Sequence, residues 1–207
     1  MSTKDNILTT ALKLFNDEGT TAVSTNHIAE AAGISPGNLY YHFHNKEEII
    51  RELFERMFAA TDAGFNLPAD KMPTLDDLQQ YVRFNYKTLW AYRFAYRELA
   101  ALLRADPELR TNFLAYRKRG FEGFDQLFNA FVSAGVLTAP TNSEVRANLA
   151  ETIWLISEFW LNSLEIGGKP VNENQMERGV ELMMQVLKPY IKPQSNTKKE
   201  SHVSNKL

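Results

Sequence analysis

The amino-acid sequence predicts an all-α fold, with a small N-terminal unit of three helices joined by a long helix to a larger helical body. Three observations carry this expectation. Apolar residues recur at helical spacing almost everywhere, and no stretch sustains the two-residue alternation of a strand. Ser24, Ser35 and Asn45 stand just ahead of apolar runs, where the first amides of a helix need an acceptor. Of the 207 residues, 44% are hydrophobic and 12% aromatic, enough to bury a substantial core.

The first helix is predicted from about Lys4 to Glu18, with Ile7, Leu8, Ala11, Leu14 and Phe15 on one face and Gly19 as its stop. Ser24 caps a short second helix ending at Gly33, with Ile28, Ala29 and Ala32 facing inward. Ser35 and Pro36 supply a cap and a proline in the first helical position, starting a third helix that runs to about His44. Asn45 caps a fourth, with Glu48 in capping-box register. Ile49, Ile50, Leu53, Phe54, Met57 and Phe58 carry its apolar face to about Ala63. The segment GFNLPADKMPT, residues 64 to 74, has no period and contains Gly64, Pro68 and Pro73, so a junction is placed across it. Further helices are predicted from Leu75 to about Leu103, with room for a break near Trp90 to Tyr92, and from Pro107 to about Ala134. Two more span 144–166 and 173–191. The polar, aperiodic end, KPQSNTKKESHVSNKL, is expected to be disordered. The resulting division is 1–50, 51–191 and a tail at 192–207, with the fourth helix bridging the first two.

Composition then excludes several classes. A formal net charge of -2 rules out a whole-molecule positive field, so any nucleic-acid contact must be a local patch. Without cysteine there is no disulfide, thiol nucleophile or cysteine-ligated zinc, which fits a reducing compartment. The N-terminus carries charges every few residues, and no later run reaches about 18 uncharged apolar residues, so the expectation is a soluble cytoplasmic protein with no membrane partner. No G-x-S-x-G, H-E-x-x-H, G-x-G-x-x-G or Walker loop occurs, and GGKP is a helix stop, so neither catalysis nor a cofactor is expected. His42 and His44 are two apart on a helix and point to different sides, and no ligand cluster joins them to His27, so no metal is expected either.

The stretch TNHIAEAAGISPGNLYYHF matches the helix-turn-helix pattern, in which the second helix enters the major groove of DNA. At about 100° per residue, Pro36, Leu39 and Phe43 share one side of that second helix. Gly37, Tyr41 and His44 fall on the other side, flanked by Asn38 and Tyr40. A purely structural helix does not usually point aromatics and an asparagine at water.

In order and spacing, ALKLFNDEG, VSTNHIAEAAGIS and LYYHFHNKEEI resemble the DNA-binding domain of the TetR family of bacterial transcriptional regulators, over residues 7 to 54. The resemblance implies a homodimer whose two helix-turn-helix units bind a palindromic DNA operator. It also implies repression until a small-molecule effector, here a largely apolar one, enters the C-terminal body. By the same resemblance Thr25, Tyr40, His42 and Lys46 meet phosphates, and Ser35 heads the reading helix among the DNA-contacting residues. Asn38 and Tyr41 are the base-reading candidates: asparagine can pair with an adenine edge, and tyrosine can offer its ring to a thymine methyl. Gly37 lets backbone approach the groove wall. With so few cations, helix N-termini are expected to supply much of the positive potential toward phosphates.

Aromatic residues crowd the body. Tyr81, Phe84, Trp90, Phe94, Tyr116, Phe124, Phe128 and Trp154 are candidates for an effector pocket, although residues of this kind also make ordinary core. Arg93, Arg97 and Arg104 fall near one stripe if their helix is continuous, which suits an acidic ligand or simply a solvated face. The last two helices are apolar on more than one side and must be buried on more than one side. The resemblance implies that they meet a second copy, with Trp160, Leu164, Val180, Met183, Met184 and Leu187 as interface candidates. An activator of the same fold, and a helical ligand-binding or adaptor protein that does not bind DNA, are the alternatives.

Overall fold

Every long helix begins at a residue whose side chain accepts from the exposed amides of the first turn, and these caps set the element boundaries. The computed structural model describes residues 2–65 and 71–193; the centre of the predicted junction, Pro68 included, and the predicted tail from residue 194 lie outside them. Helix α1 (Thr3–Glu18) is capped by Ser2 with Asp5 closing a capping box, and α2 (Thr25–Ala31) by Ser24. Ser35 caps α3 (Pro36–His42) and Asn45 caps α4 (Lys46–Gly64). Thr74 and Asp77 box the start of α5 (Leu75–Ala91), which is followed by two short segments, α6 (Arg93–Arg97) and α7 (Leu99–Ala105). Asp106, Asn142 and Asn172 cap α8 (Pro107–Ser133), α9 (Ser143–Ile166) and α10 (Glu173–Leu187). A 3₁₀ turn, Lys188–Tyr190, follows α10, and Ile191 forms an isolated antiparallel bridge with Leu137.

Several expectations are corrected. Helix α3 stops at His42 because Phe43 is extended, so His44 lies beyond the helix, and Pro36, unlike Leu39 and Phe43 on its side, is exposed. Glu48 does not close a capping box on Asn45; its carboxylate accepts from the His44 amide at 2.8 Å, one residue earlier. The break allowed for near Trp90 to Tyr92 is present at Tyr92, and a second, unforeseen one at Glu98 divides the stretch from Leu75 to Leu103 into three helices. The first break leaves the Ala91 carbonyl and the Phe94 amide outside any helical ladder, and buried Asn16 of α1 satisfies both, donating to the first at 2.8 Å and accepting from the second at 3.0 Å. The arginine stripe dissolves at the same break: Arg93 pairs with Asp17, Arg97 with Glu165, and Arg104 faces solvent.

One core runs the length of the molecule. In the N-terminal unit Ile7, Leu8, Phe15, Ile28, Leu39 and Leu53 are buried. From there Phe15 meets Phe94, Phe94 meets Phe54, and Phe58 stacks on Tyr116 with ring centroids 4.2 Å apart. Helix α10 lies so close to α5 that a Cβ on Gly179 would come within 2.1 Å of the Tyr86 ring.

Burial also corrects the interface candidates. Leu164, Val180, Met183 and Leu187 are buried within the protomer itself, so they cannot form a surface that a second copy meets. Trp160 and Met184 are half-buried, and the Trp160 ring nitrogen donates to the Gln175 carbonyl. The apolar residues of α9 left in water are instead Leu155, Phe159 and Ile166, which are 63%, 50% and 78% exposed.

Candidate DNA-reading surface and effector cavity

The turn between α2 and α3 is fixed by backbone chemistry. Gly33 has φ +68°, its amide donates to the Glu30 carbonyl, and the Ile34 amide donates to the Ala29 carbonyl. This is the paired closure of a Schellman motif, and glycine meets its left-handed conformation without strain. Ile34 then packs inward, and Ser35 accepts from the Asn38 amide to launch α3. Leu39 and Phe43 are buried beneath α3. Its outer side presents Gly37, Asn38, Tyr40 and Tyr41 to solvent, Tyr41 at 84% exposure.

The hydroxyl groups of Thr25, at the start of α2, and Tyr40, on α3, lie 3.0 Å apart and hydrogen-bond across the motif. Two helices thus offer a shared pair of hydroxyls on the exposed side. His42 is half-buried and meets Tyr41 edge to face.

Lys46 departs from the expectation. Its Nζ donates to the Thr20 carbonyl at 2.6 Å and the Val23 carbonyl at 3.0 Å, so the ammonium is bound to the loop between α1 and α2. Other cations of α1 and α4 are also engaged: Lys4 with Glu52, Arg51 with Asp106, and Arg56 with Asp5. Arg56 and, more strongly, Ser2 hold the Asp5 carboxyl down at about 2.

In the body a cavity of about 450 Å³ opens among α4, α5, α8, α9 and α10. Tyr81, Tyr116, Phe124, Phe128 and Trp154 line it, together with Met183 and Leu187 from the expected interface set. Phe84, Trp90 and Phe94 do not. Phe84 packs on Gly64 and Phe65, Trp90 carries the Arg93 guanidinium over its ring, and Phe94 sits in the core between Phe15 and Phe54. The polar part of the wall includes Asn85, hydrogen-bonded to Ser157 at 2.9 Å, together with Tyr96, Tyr116 and Glu158, and Thr61, Asp62, Arg119 and Gln126 also line the hollow. Burial pushes the Glu158 carboxyl up, and Arg117, 3.3 Å away, offsets part of that rise. Burial likewise raises Tyr96 and Tyr116. A mostly apolar hollow with a few convergent polar groups is the usual form of a small-molecule site.

Reasoning from sequence missed this polar set because Asn85, Tyr96 and Ser157 come from three helices with no common spacing. Glu158 did leave a signal: it is a lone carboxylate inside the apolar run WLISEFWL. Among the described residues no cluster of three or more potential metal ligands occurs, and no helix is long and apolar enough to cross a membrane.

The N-terminal residues 7–53 match the family model described as bacterial regulatory proteins of the tetR family, and residues 56–198 match the one described as a bacterial transcriptional repressor, TetR. The chain belongs to the TetR family of bacterial transcriptional regulators. Members are DNA-binding transcription factors without enzymatic activity, typically repressors. A TetR-family regulator from Marinobacter aquaeolei VT8 shares 34% identity and superposes with a TM-score of 0.84, covering 93% of each chain. The ketosteroid regulator KstR2 of Mycobacterium tuberculosis, at 21% identity and a TM-score of 0.65 over 93% of this chain and 96% of that one, shares the fold. The tetracycline repressor protein class C of Escherichia coli is 30% identical over 110 residues, 51% of this chain and 48% of that protein. The biofilm operon regulator IcaR of Staphylococcus epidermidis is 30% identical over 105 residues, 51% of this chain and 55% of its own length. Against such curated relatives this TetR-family chain therefore spans about half of the protein or less.

Proposed function

We propose that the protein is a ligand-responsive repressor that binds a palindromic operator as a homodimer and is released by a small, largely apolar effector. The observation that carries the reading is the outer side of α3, where Asn38 and Tyr41 stand free in water beside the Thr25 and Tyr40 hydroxyl pair. Asn38 and Tyr41 read bases, with Gly37 admitting close backbone approach and Ser35 holding the helix start. Thr25, Tyr40 and His42 meet phosphates. Lys46 contributes mainly by ordering the loop that precedes α2, since two of its three donors are already used.

The division of the chain into a reading unit, 1–50, and an effector and dimer body, 51–191, follows from this assignment. Helix α4 links the two, packing on α1 through its first half and reaching the cavity at Thr61 and Asp62. Dimerisation runs through the Leu155, Phe159 and Ile166 stripe of α9, an apolar face of the kind a symmetric partner covers. The effector occupies the cavity among Tyr81, Tyr116, Phe128 and Trp154.

The test is fluorescence anisotropy with the duplex upstream of the protein's own gene. Tyr41→Ala should weaken binding by about tenfold, the effect of roughly 1–3 kcal/mol for one lost base contact, while the melting temperature stays unchanged. With most nearby cations already paired, the logarithmic salt slope should be well short of the about −10 seen for a strongly basic reader. Unaltered affinity in Tyr41→Ala, or no affinity in the wild type for any inverted repeat, would remove the reading.

A further inference from the structure

Glu98, the single residue between α6 and α7, sends its carboxylate out of the body to the loop between α1 and α2. One oxygen accepts from the Thr20 amide at 2.9 Å and the other from the Thr20 hydroxyl. The third polar group of Thr20, its carbonyl, accepts from Lys46 at the first position of α4. Thr20 is buried and every hydrogen-bonding group it has is therefore committed, two to the effector body and one to α4. Carboxylate acceptors make stronger hydrogen bonds than neutral ones, so this is a firm link for a loop residue. The close approach also needs Gly19, where a Cβ would stand 3.0 Å from the Glu98 oxygen and φ is +82°.

The loop so held leads directly into the reading surface. Val23, whose carbonyl also accepts from Lys46, is buried, and the next residue, Ser24, is the cap of α2. Thr25 follows and joins the Tyr40 hydroxyl of α3. On the other side of the link, Tyr96, two residues before Glu98, lines the cavity, and its carbonyl accepts from Asn162 of α9. The two halves of the molecule meet at this point through named polar contacts and not only through the apolar surface of α4.

We infer that Glu98 is a positioning residue for DNA binding: by clasping Thr20 it fixes the α1–α2 loop and, through that loop, the placement of the α2 start against the operator. The inference rests on the DNA-binding reading above. The clasp differs from a lever in α4, because it sets the loop locally without tilting the whole reading unit.

Glu98→Gln keeps the shape but turns an amide group toward a donor, and Thr20→Val removes the hydroxyl while leaving the amide. Both variants and the double variant are compared with the wild-type full chain for binding to the duplex upstream of its own gene, at a temperature where melting curves show all four folded. Failure of the wild type to bind sinks the DNA-binding reading itself. With the wild type bound, each single variant should bind about tenfold more weakly, within the range of typical coupling between sites, and the double variant should lose no more than the weaker single one. Since the chain has no cysteine, Glu30→Cys on the exposed side of α2 provides a unique spin-label site. The label-to-label distance distribution in the dimer should broaden in Glu98→Gln. Wild-type affinity in the single variants, additive losses in the double variant, or an unchanged distance distribution overturns the clasp.

Discussion

The reading unit and the effector body are built from the same apolar helices, yet they spend their polar groups in opposite ways. In the reading unit polar side chains are turned outward or tied to backbone: Asn38 and Tyr41 face water, and Ser24, Ser35 and Asn45 cap helices. In the body they are turned inward, with Asn85, Ser157, Tyr96 and Glu158 around one hollow and the Tyr86 hydroxyl buried with no partner among the described residues. A surface that must meet varied phosphates and bases needs exposed donors on a rigid frame, and its frame is local. A hollow suited to a small molecule must bring distant residues together, and the unmet Tyr86 hydroxyl lies in the packing beside it.

The largest effect is expected where the two regions join. Asn16 is the only side chain described that satisfies both the Ala91 carbonyl and the Phe94 amide at the break between α5 and α6. Asn16→Leu keeps the bulk but leaves the buried Phe94 amide unpaired and hands the part-buried Ala91 carbonyl to water, at a cost of about 1–3 kcal/mol. Urea unfolding should show the unfolding free energy falling by that amount, with a correspondingly lower midpoint. A small change would mean that α5 and α6 can fuse into one helix and that the break is not imposed by α1.

How much of this could be read in advance follows the same divide. The caps Ser24, Ser35 and Asn45, the Gly33 turn and the outward Tyr41 were legible because each depends on residues within a few positions of it. The carbonyl partners of Lys46 are not legible, because Thr20 and Val23 lie more than twenty residues earlier in sequence and nothing in the local pattern marks them as acceptors. The cavity was half legible: aromatic density pointed to Tyr116, Phe128 and Trp154, but the same density included Phe94, which fills core. The proposed interface is least legible. Helices apolar on several sides do not reveal by periodicity which side the protomer covers, so the pattern points to Val180 and Met183, which the protomer buries, and passes over exposed Ile166.

Opposite pH responses sharpen the contrast. Burial pushes Asp106 up, but the Leu109 amide and Arg51 outweigh it and hold this carboxyl, which ties α4 to α8, below its ordinary range. A lowered carboxyl contributes stability above its unfolded value near 3.8 and loses it as pH falls toward the folded value. Glu158, in the cavity wall, has the reverse sign: raised above 4.5, it favours the folded state at low pH, and that contribution fades as pH rises through the folded value. Glu158→Gln removes the second dependence and leaves the first. Relative to the wild type, the variant should therefore gain stability between pH 4 and pH 7 in paired urea titrations. A constant difference across that range would show that Arg117 fully compensates the buried charge.

The smallest effect concerns the body alone and runs in the stabilising direction. Tyr86 is buried between α5 and α10, against Gly179 and Trp160, and burial raises its hydroxyl well above the ordinary phenol range. A buried hydroxyl without a partner loses its bonds to water and gains none in return. Tyr86→Phe removes that loss at the price of a void smaller than a methyl group, so the folded state should gain up to about 1 kcal/mol. A modest rise in melting temperature with unchanged operator affinity would place the unmet polarity in the body and leave the reading unit untouched. If the variant melts lower instead, the hydroxyl is satisfied inside the folded protomer, by water for example, and the contrast between an outward-facing polar reading unit and a body with an unmet buried polar group fails at its clearest residue.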